Sequence, residues 1–260
     1  MASQILRRAV QSSRSFWRGY NFAKNHAIPT QPAPYHSDPG FLENWLDSRT
    51  EGPGVWKWRH YFPVYERHLG KFRGQEVHIL EIGVYSGGSM QMWKQYFGDK
   101  AHIYGVDIEP VCRQYEDEQT KIFIGDQADT NFWNDVLAQV PRIDIVVDDG
   151  GHQTDQQIAT LEALLPHIQP GGVFICEDIN GKANPFLSYM DGLARQLHVH
   201  VRADEPEPDP RVPPSTNLAA SALQRLVDSI HLYPFMAVIE LRANREECCS
   251  SRVRLRPRFG

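Results

Sequence analysis

The sequence predicts an α/β fold: a doubly wound, mostly parallel sheet of seven strands with an antiparallel last strand and helices on both faces. Three observations carry that prediction. From residue 77 onward, short β-rich runs alternate with helically spaced stretches, as in a parallel sheet covered on both sides. A glycine-containing turn follows the first run and opens a helical stretch, the usual strand-to-helix junction of such sheets. Near the end, two runs are joined tightly through Pro234, which requires antiparallel pairing because a parallel crossover needs a long connection.

Composition agrees. A chain of 260 residues with 41% AVILMFWYC and 23% DEKR suits one α/β domain with an appendage, or at most two small domains. Collagen-like, coiled-coil and wholly disordered classes are excluded, since apolar content is ordinary and nothing repeats. No apolar run approaches the length of a membrane-spanning helix. The net charge of −5 is unevenly distributed. Residues 1–37 carry +5 and residues 241–260 carry +4, so the body between them carries −14.

In order along the chain, residues 1–50 read as a basic leader and linker. The first 26 residues are rich in Arg and Ser and lack acid, the composition of an organellar transit peptide. This predicts a mitochondrial or other organellar address, with a basic N-terminal tail on a cytoplasmic protein as the alternative. Residues 27–56 repeat Pro and Gly and read as linker and irregular approach. The folded domain is expected over 51–242. It starts with an aromatic helix from Trp58 to Phe72, started or kinked by Pro63, which either packs on the sheet or caps a substrate. Parallel strands follow at Val77–Ile82, His102–Asp107, Lys121–Gly125, Ile143–Asp148 and Gly172–Cys176. Helices are expected at Met90–Phe97, Phe132–Val140, Asp155–Ile168 and 184–199. Residues 200–217, Pro-rich and acidic, form a lid-like loop. Ser229–Tyr233 and Phe235–Leu241 make the antiparallel ending, and 243–260 is a basic tail. The four cysteines show no metal or disulfide spacing, which fits a reducing compartment.

In an open parallel sheet, ligands collect at the carboxyl ends of the strands. Every one of the five parallel strands delivers a carboxylate there: Glu81, Asp107, Asp126, Asp148–Asp149 and Glu177–Asp178. A glycine turn or a strand-end Asp has a structural explanation on its own. Five together cost repulsion unless a cation or ligand donors offset it. The loop Glu81, Gly83, Tyr85, Ser86, Gly87, Ser89 lets backbone approach a ligand at a helix N-terminus. Asp107 stands where an acid accepts from ribose hydroxyls, and Asp126 is available to an adenine amino group. A dinucleotide dehydrogenase would show Gly-x-Gly-x-x-Gly, whereas this loop has Gly83 and then Gly87–Gly88 with Glu81 in front.

That glutamate-x-glycine loop resembles class I S-adenosylmethionine-dependent methyltransferases, whose Rossmann-like topology also ends in an antiparallel strand pair. Further motifs, LEIGVYSGGSMQMWKQYF, HIYGVDIEP, DQAD, IDIVVDDGGH and GGVFICEDI, resemble the metal-dependent macrolide-sugar O-methyltransferase and cephalosporin-hydroxylase-like branch over roughly residues 58–180. One departure is Gly151, where that branch usually has Ser. The resemblance implies S-adenosylmethionine and Mg²⁺ as cofactors, Asp149, Glu177 and Asp178 as metal ligands, and His152 as general base. Carboxylate oxygens without Cys suit Mg²⁺, and His152 lies within three residues of Asp149, in reach of a metal-held hydroxyl proton. Asp148 and Asp149 point oppositely; Asp149 is favoured as the ligand, and Asp148 faces the cofactor or braces the loop. The expected partner is a small-molecule hydroxyl acceptor, sugar or polyketide-like. Nucleic acid and membrane are not expected, and a homo-oligomer is left open. The alternatives are an NAD(P)-dependent oxidoreductase and a non-catalytic cofactor-binding module.

Overall fold

The computed structural model of the chain describes residues 14–24, 40–180, 184–198 and 221–244. Residues 1–38 and 39–260 are separate units. In the first, residues 14–24 form helix α1, on which Trp17 meets Phe16 at 5.4 Å and Tyr20 at 5.6 Å between ring centres. The rest of the expected leader lies outside the described residues.

The second unit holds the sheet: β1 (Val77–Ile82), β2 (Ala101–Asp107), β3 (Thr120–Ile124), β4 (Ile143–Asp148), β5 (Ile168–Cys176), β6 (Val227–Tyr233) and β7 (Met236–Leu241). Their spatial order is β3-β2-β1-β4-β5-β7-β6. The first five run parallel, and β7 is antiparallel to both β5 and β6. The predicted doubly wound sheet is therefore present, with two strands bounded as the sequence indicates and β5 beginning earlier, at Ile168. Strand order reverses between β1 and β4, which opens a crevice at their carboxyl ends.

Period-2 alternation assigns the strand side chains to two cores. On one face Ile79, Ile145, Val147 and Ile175 pack with Tyr65, Trp93 and Phe97 beneath α2 (Phe41–Ser48), α3 (Phe62–Leu69) and α4 (Gly88–Phe97). On the other, Leu80, Val146 and Phe174 pack with Trp133, Leu161 and Phe186 beneath α5 (Thr130–Leu137), α6 (Thr154–Leu164) and α7 (Pro185–Gln196).

Helix α2 corrects the reading of 27–56 as irregular linker. Its Leu42 is fully buried, and the Leu42 N–H donates to Glu66 Oε1 on α3 at 2.9 Å. Tertiary packing holds it, where flanking Pro and Gly had argued for a loop. A short helix α8 (Ala222–Leu226) was also unforeseen; Ser221 and Gln224 cap it reciprocally. The aromatic segment is helical from Arg59 to Phe72 with short 3-10 turns at both ends. It packs: Tyr61 is buried, and its hydroxyl donates to the Phe235 carbonyl at 3.2 Å in the β6–β7 turn. Residues 200–217 and the tail from 245 lie outside the described residues.

Candidate active site

A cavity of about 470 Å³ opens at the carboxyl ends of β1, β2 and β4, within the roughly 300–1,000 Å³ range of small-molecule sites. Gly83, Tyr85, Ser86 and Ser89 line one side, Asp107 and Asp126 another, and Asp149, His152 and Asp178 a third. The β1–α4 loop can run this close only because of its glycines. Gly83 has φ +93°, and a Cβ there would fall 2.0 Å from the Asp149 carbonyl oxygen, so any side chain would prise β1 from β4. Asp107 accepts from the Tyr85 N–H and the Glu109 N–H, both at 2.9 Å. Asp126 accepts from the Ala128 N–H at 2.8 Å. Both carboxylates thus shape their own loops as well as facing the cavity.

Strand register decides which acids meet. In the paired rows Glu81 stands beside Val147, and Asp148 beside Ile82 and Cys176. Glu81, Asp149 and Glu177 therefore share the face that carries α3 and α4, and Asp148 belongs to the opposite face. There Asp148 is 1% exposed and off the cavity wall. Its Oδ1 accepts from Gln127 Nε2 at 3.0 Å and the Gly150 N–H at 3.3 Å. It braces the β4 loop, which places Asp149 rather than Asp148 at the cavity. Burial pushes the Asp148 carboxyl up to about 7.

The expected ligand Glu177 is likewise separated from Asp178. Glu177 is fully buried and off the cavity wall. Its Oε1 accepts from Tyr65 OH at 2.6 Å, and both its oxygens face the Lys57 ammonium at 3.2 Å. Lys57 Nζ also donates to Glu81 Oε1 at 2.9 Å and Asp149 Oδ2 at 2.7 Å. Glu81, expected at the cofactor, lies beneath the cavity instead, its other oxygen accepting from Trp93 Nε1 at 2.8 Å. Gly87 is also off the cavity wall; it takes the left-handed turn, at φ +74°, from which α4 starts. Burial raises Glu81 and Glu177 above the usual carboxylate range, and Lys57 counteracts it only in part. Burial also opposes the charge on Lys57, but Asp149, Glu177 and Glu81 outweigh it and hold the ammonium well above its usual value.

Asp178 has φ +54°, which breaks strand alternation and turns its carboxylate toward the aromatic segment. Its Oδ1 accepts from Trp58 Nε1 at 2.9 Å and Tyr61 OH at 2.8 Å. Its Oδ2 lies 3.7 Å from His152 Nε2. Asp149, His152 and Asp178 each bring one ligating atom within 4.8 Å of the others. Two hard oxygens on an open cavity wall fit Mg²⁺, which binds through one or two carboxylates and keeps water or substrate oxygens elsewhere. Of the nearby residues, Lys57 and Gln127 were not foreseen, and Trp58 and Tyr65 were expected only as members of the aromatic segment. The trace of Lys57 in the sequence was the surplus of strand-end carboxylates that needed compensation.

Residues 80–179 match a family model described as a methyltransferase domain. The chain is 34% identical over 221 residues to demethylmacrocin O-methyltransferase of Streptomyces fradiae, covering 78% of this chain and 54% of that protein. It is 32% identical over 206 residues to mycinamicin VI 2''-O-methyltransferase of Micromonospora griseorubida, covering 72% and 49%. Among solved structures, the methyltransferase MycE of mycinamycin biosynthesis, in complex with Mg and SAH, matches with a TM-score of 0.61 at 27% identity, covering 80% of this chain and 55% of that one. The chain spans about half the length of the curated relatives it matches. Its seven-stranded sheet is the Rossmann-like fold of those methyltransferases.

Proposed function

We propose that this chain, related by its methyltransferase domain and its fold to the sugar O-methyltransferases of polyketide antibiotics, transfers a methyl group from S-adenosylmethionine to an acceptor hydroxyl with the help of Mg²⁺. The observation that carries the proposal is the meeting of Asp149, His152 and Asp178 on the wall of a cavity that the β1–α4 loop, Asp107 and Asp126 complete. Gly83, Tyr85, Ser86 and Ser89 would hold the donor along the loop, with Asp107 toward its ribose and Asp126 toward its base. Asp149 and Asp178 would hold the cation, which when bound lowers the pKa of a hydroxyl as it does that of water. His152 stands at the same wall, its Nε2 3.7 Å from Asp178 Oδ2, and takes the acceptor proton at Nε2. A methyl sulfonium leaves without acid assistance, so in-line positioning by the cavity walls supplies much of the remaining rate.

The acceptor class follows the relatives: a sugar or polyketide-like small molecule bearing a free hydroxyl. The loop lacks the Gly-x-Gly-x-x-Gly of dinucleotide enzymes, which disfavours the oxidoreductase alternative. Calorimetric titration of the pure protein with S-adenosylmethionine, with and without Mg²⁺, tests the cofactor. A mass-shift screen of glycosylated acceptors for one added methyl group tests the reaction. The expected result is saturable cofactor binding and a Mg²⁺-dependent product; no binding at millimolar cofactor refutes the proposal.

A further inference from the structure

The resemblance to metal-dependent methyltransferases puts Asp149, Glu177 and Asp178 together around one ion, but the chain has already placed a cation among its carboxylates. The Lys57 side chain is 2% exposed, and its donors are spread over Glu81, Asp149 and Glu177 at 2.7–3.2 Å. An ammonium has three N–H donors, and three carboxylates take them. A divalent ion bound at about 2.1 Å to Glu177 would press against Nζ at the same oxygens, two like charges in a water-poor interior.

The remaining oxygens are on the outer side. Asp149 engages Lys57 through Oδ2 alone, and its Oδ1 accepts no hydrogen bond among the described residues. Asp178 engages Trp58 and Tyr61 through Oδ1, which leaves Oδ2 toward His152. The segment that carries Lys57 is itself fastened along the cavity wall. Arg49 Nη2 donates to the Pro53 carbonyl at 2.9 Å, Ser86 Oγ donates to the Gly54 carbonyl at 2.7 Å, and Gly54, Val55 and Trp56 wall the cavity.

We infer that Lys57 is a positioning residue: a tethered counter-cation that withdraws Glu177 and Glu81 from the divalent ion, so that Asp149 and Asp178 alone hold it with His152 left free to accept a proton. The inference rests on the metal-assisted reading above, and it narrows the protein's ligand set to two carboxylates. Water and acceptor oxygens complete the shell, so more positions are open to substrate than a three-carboxylate site would leave.

The test uses the full chain and Mn²⁺ as probe, read by electron paramagnetic resonance of the free ion without methyl donor or acceptor. Failure of the methyl-transfer reading therefore leaves this measurement standing. Asp149→Asn and Asp178→Asn are each expected to weaken Mn²⁺ binding at least ~tenfold, a loss of about 1.4 kcal/mol, while Glu177→Gln leaves it within about twofold. Lys57→Met releases Glu177 and is expected to tighten Mn²⁺ binding by roughly tenfold or more. The double variant Lys57→Met/Glu177→Gln then loses that gain, a dependence that a merely structural lysine does not produce. If Lys57→Met does not fold, Glu177→Gln alone decides. A loss on Glu177→Gln matching that on Asp149→Asn overturns the inference. So does unchanged binding in folded Lys57→Met, and so does absence of Mn²⁺ binding to the wild type and every variant.

Discussion

Asp148→Asn isolates the electrostatic cost of the buried acid behind the site. Asp148 is 1% exposed, and its Oδ2 has no partner among the described residues. Burial pushes its carboxyl from an ordinary 3.8 up to about 7; the bonds from Gln127 and Gly150 pull it back and the neighbouring Asp149 charge adds to the rise. A folded value above the unfolded one means that the native state binds the proton more tightly. The contribution of Asp148 to stability is therefore most favourable at acid pH and falls as pH climbs from about 4 to about 7. About three pKa units at ~1.4 kcal/mol each give a full cost of about 4 kcal/mol, of which about 3 kcal/mol develops between pH 5 and pH 8. Asparagine keeps the volume and the Oδ1 acceptor but cannot ionise. Urea unfolding of wild type and Asp148→Asn in a metal chelator, followed by circular dichroism from pH 5 to pH 8, reads the difference directly. The stabilisation by Asp148→Asn is expected to grow by about 3 kcal/mol across that range with the urea slope unchanged. A difference that stays flat with pH refutes the reasoning, because it would mean that Asp148 is not desolvated as its position implies.

Two further outcomes are expected. His152→Gln should lower turnover by about 10²–10⁴-fold, the usual contribution of a general base, with cofactor affinity unchanged by calorimetry; wild-type turnover in this variant would remove His152 from the reaction. Gly88→Ala would place a Cβ 2.0 Å from the Gly54 carbonyl oxygen, backbone against backbone, so the Pro53–Lys57 segment must move off the cavity. Cofactor affinity should fall at least ~tenfold with the far-ultraviolet circular dichroism spectrum retained, and undiminished affinity would show that this segment does not shape the cofactor site.

Much of the architecture was legible because its causes are local. The runs VHILEI and IDIVVD mark β1 and β4 to the residue, since Val, Ile and Leu fill most positions of a strand buried on both sheet faces, with His78, Glu81, Asp144 and Asp148 as its buried polar members. The glycine turn after β1 and the acids at each strand end follow from topology, so Asp107, Asp126, Asp149, His152 and Asp178 were all located before their surroundings were known. Helix α2 was missed because its neighbours are Pro- and Gly-rich, and the contact that stabilises it comes from Glu66, 24 residues away.

By itself, then, the sequence determined the succession of strands, the helices that join the parallel ones and the edge on which the carboxylates gather, because periodicity and turn chemistry act over a few neighbouring residues. Only the tertiary structure decided how those acids divide. Register put Asp148 on one face and Glu81, Asp149 and Glu177 on the other, and a left-handed backbone turned Asp178 toward Trp58 and Tyr61. Lys57 reached partners 24, 92 and 120 residues distant. In a Pro- and Gly-rich approach a lone lysine reads as a solvated surface charge. It becomes the counter-cation of the site only because folding carries it out of water to where three carboxylates offset the cost of burying it.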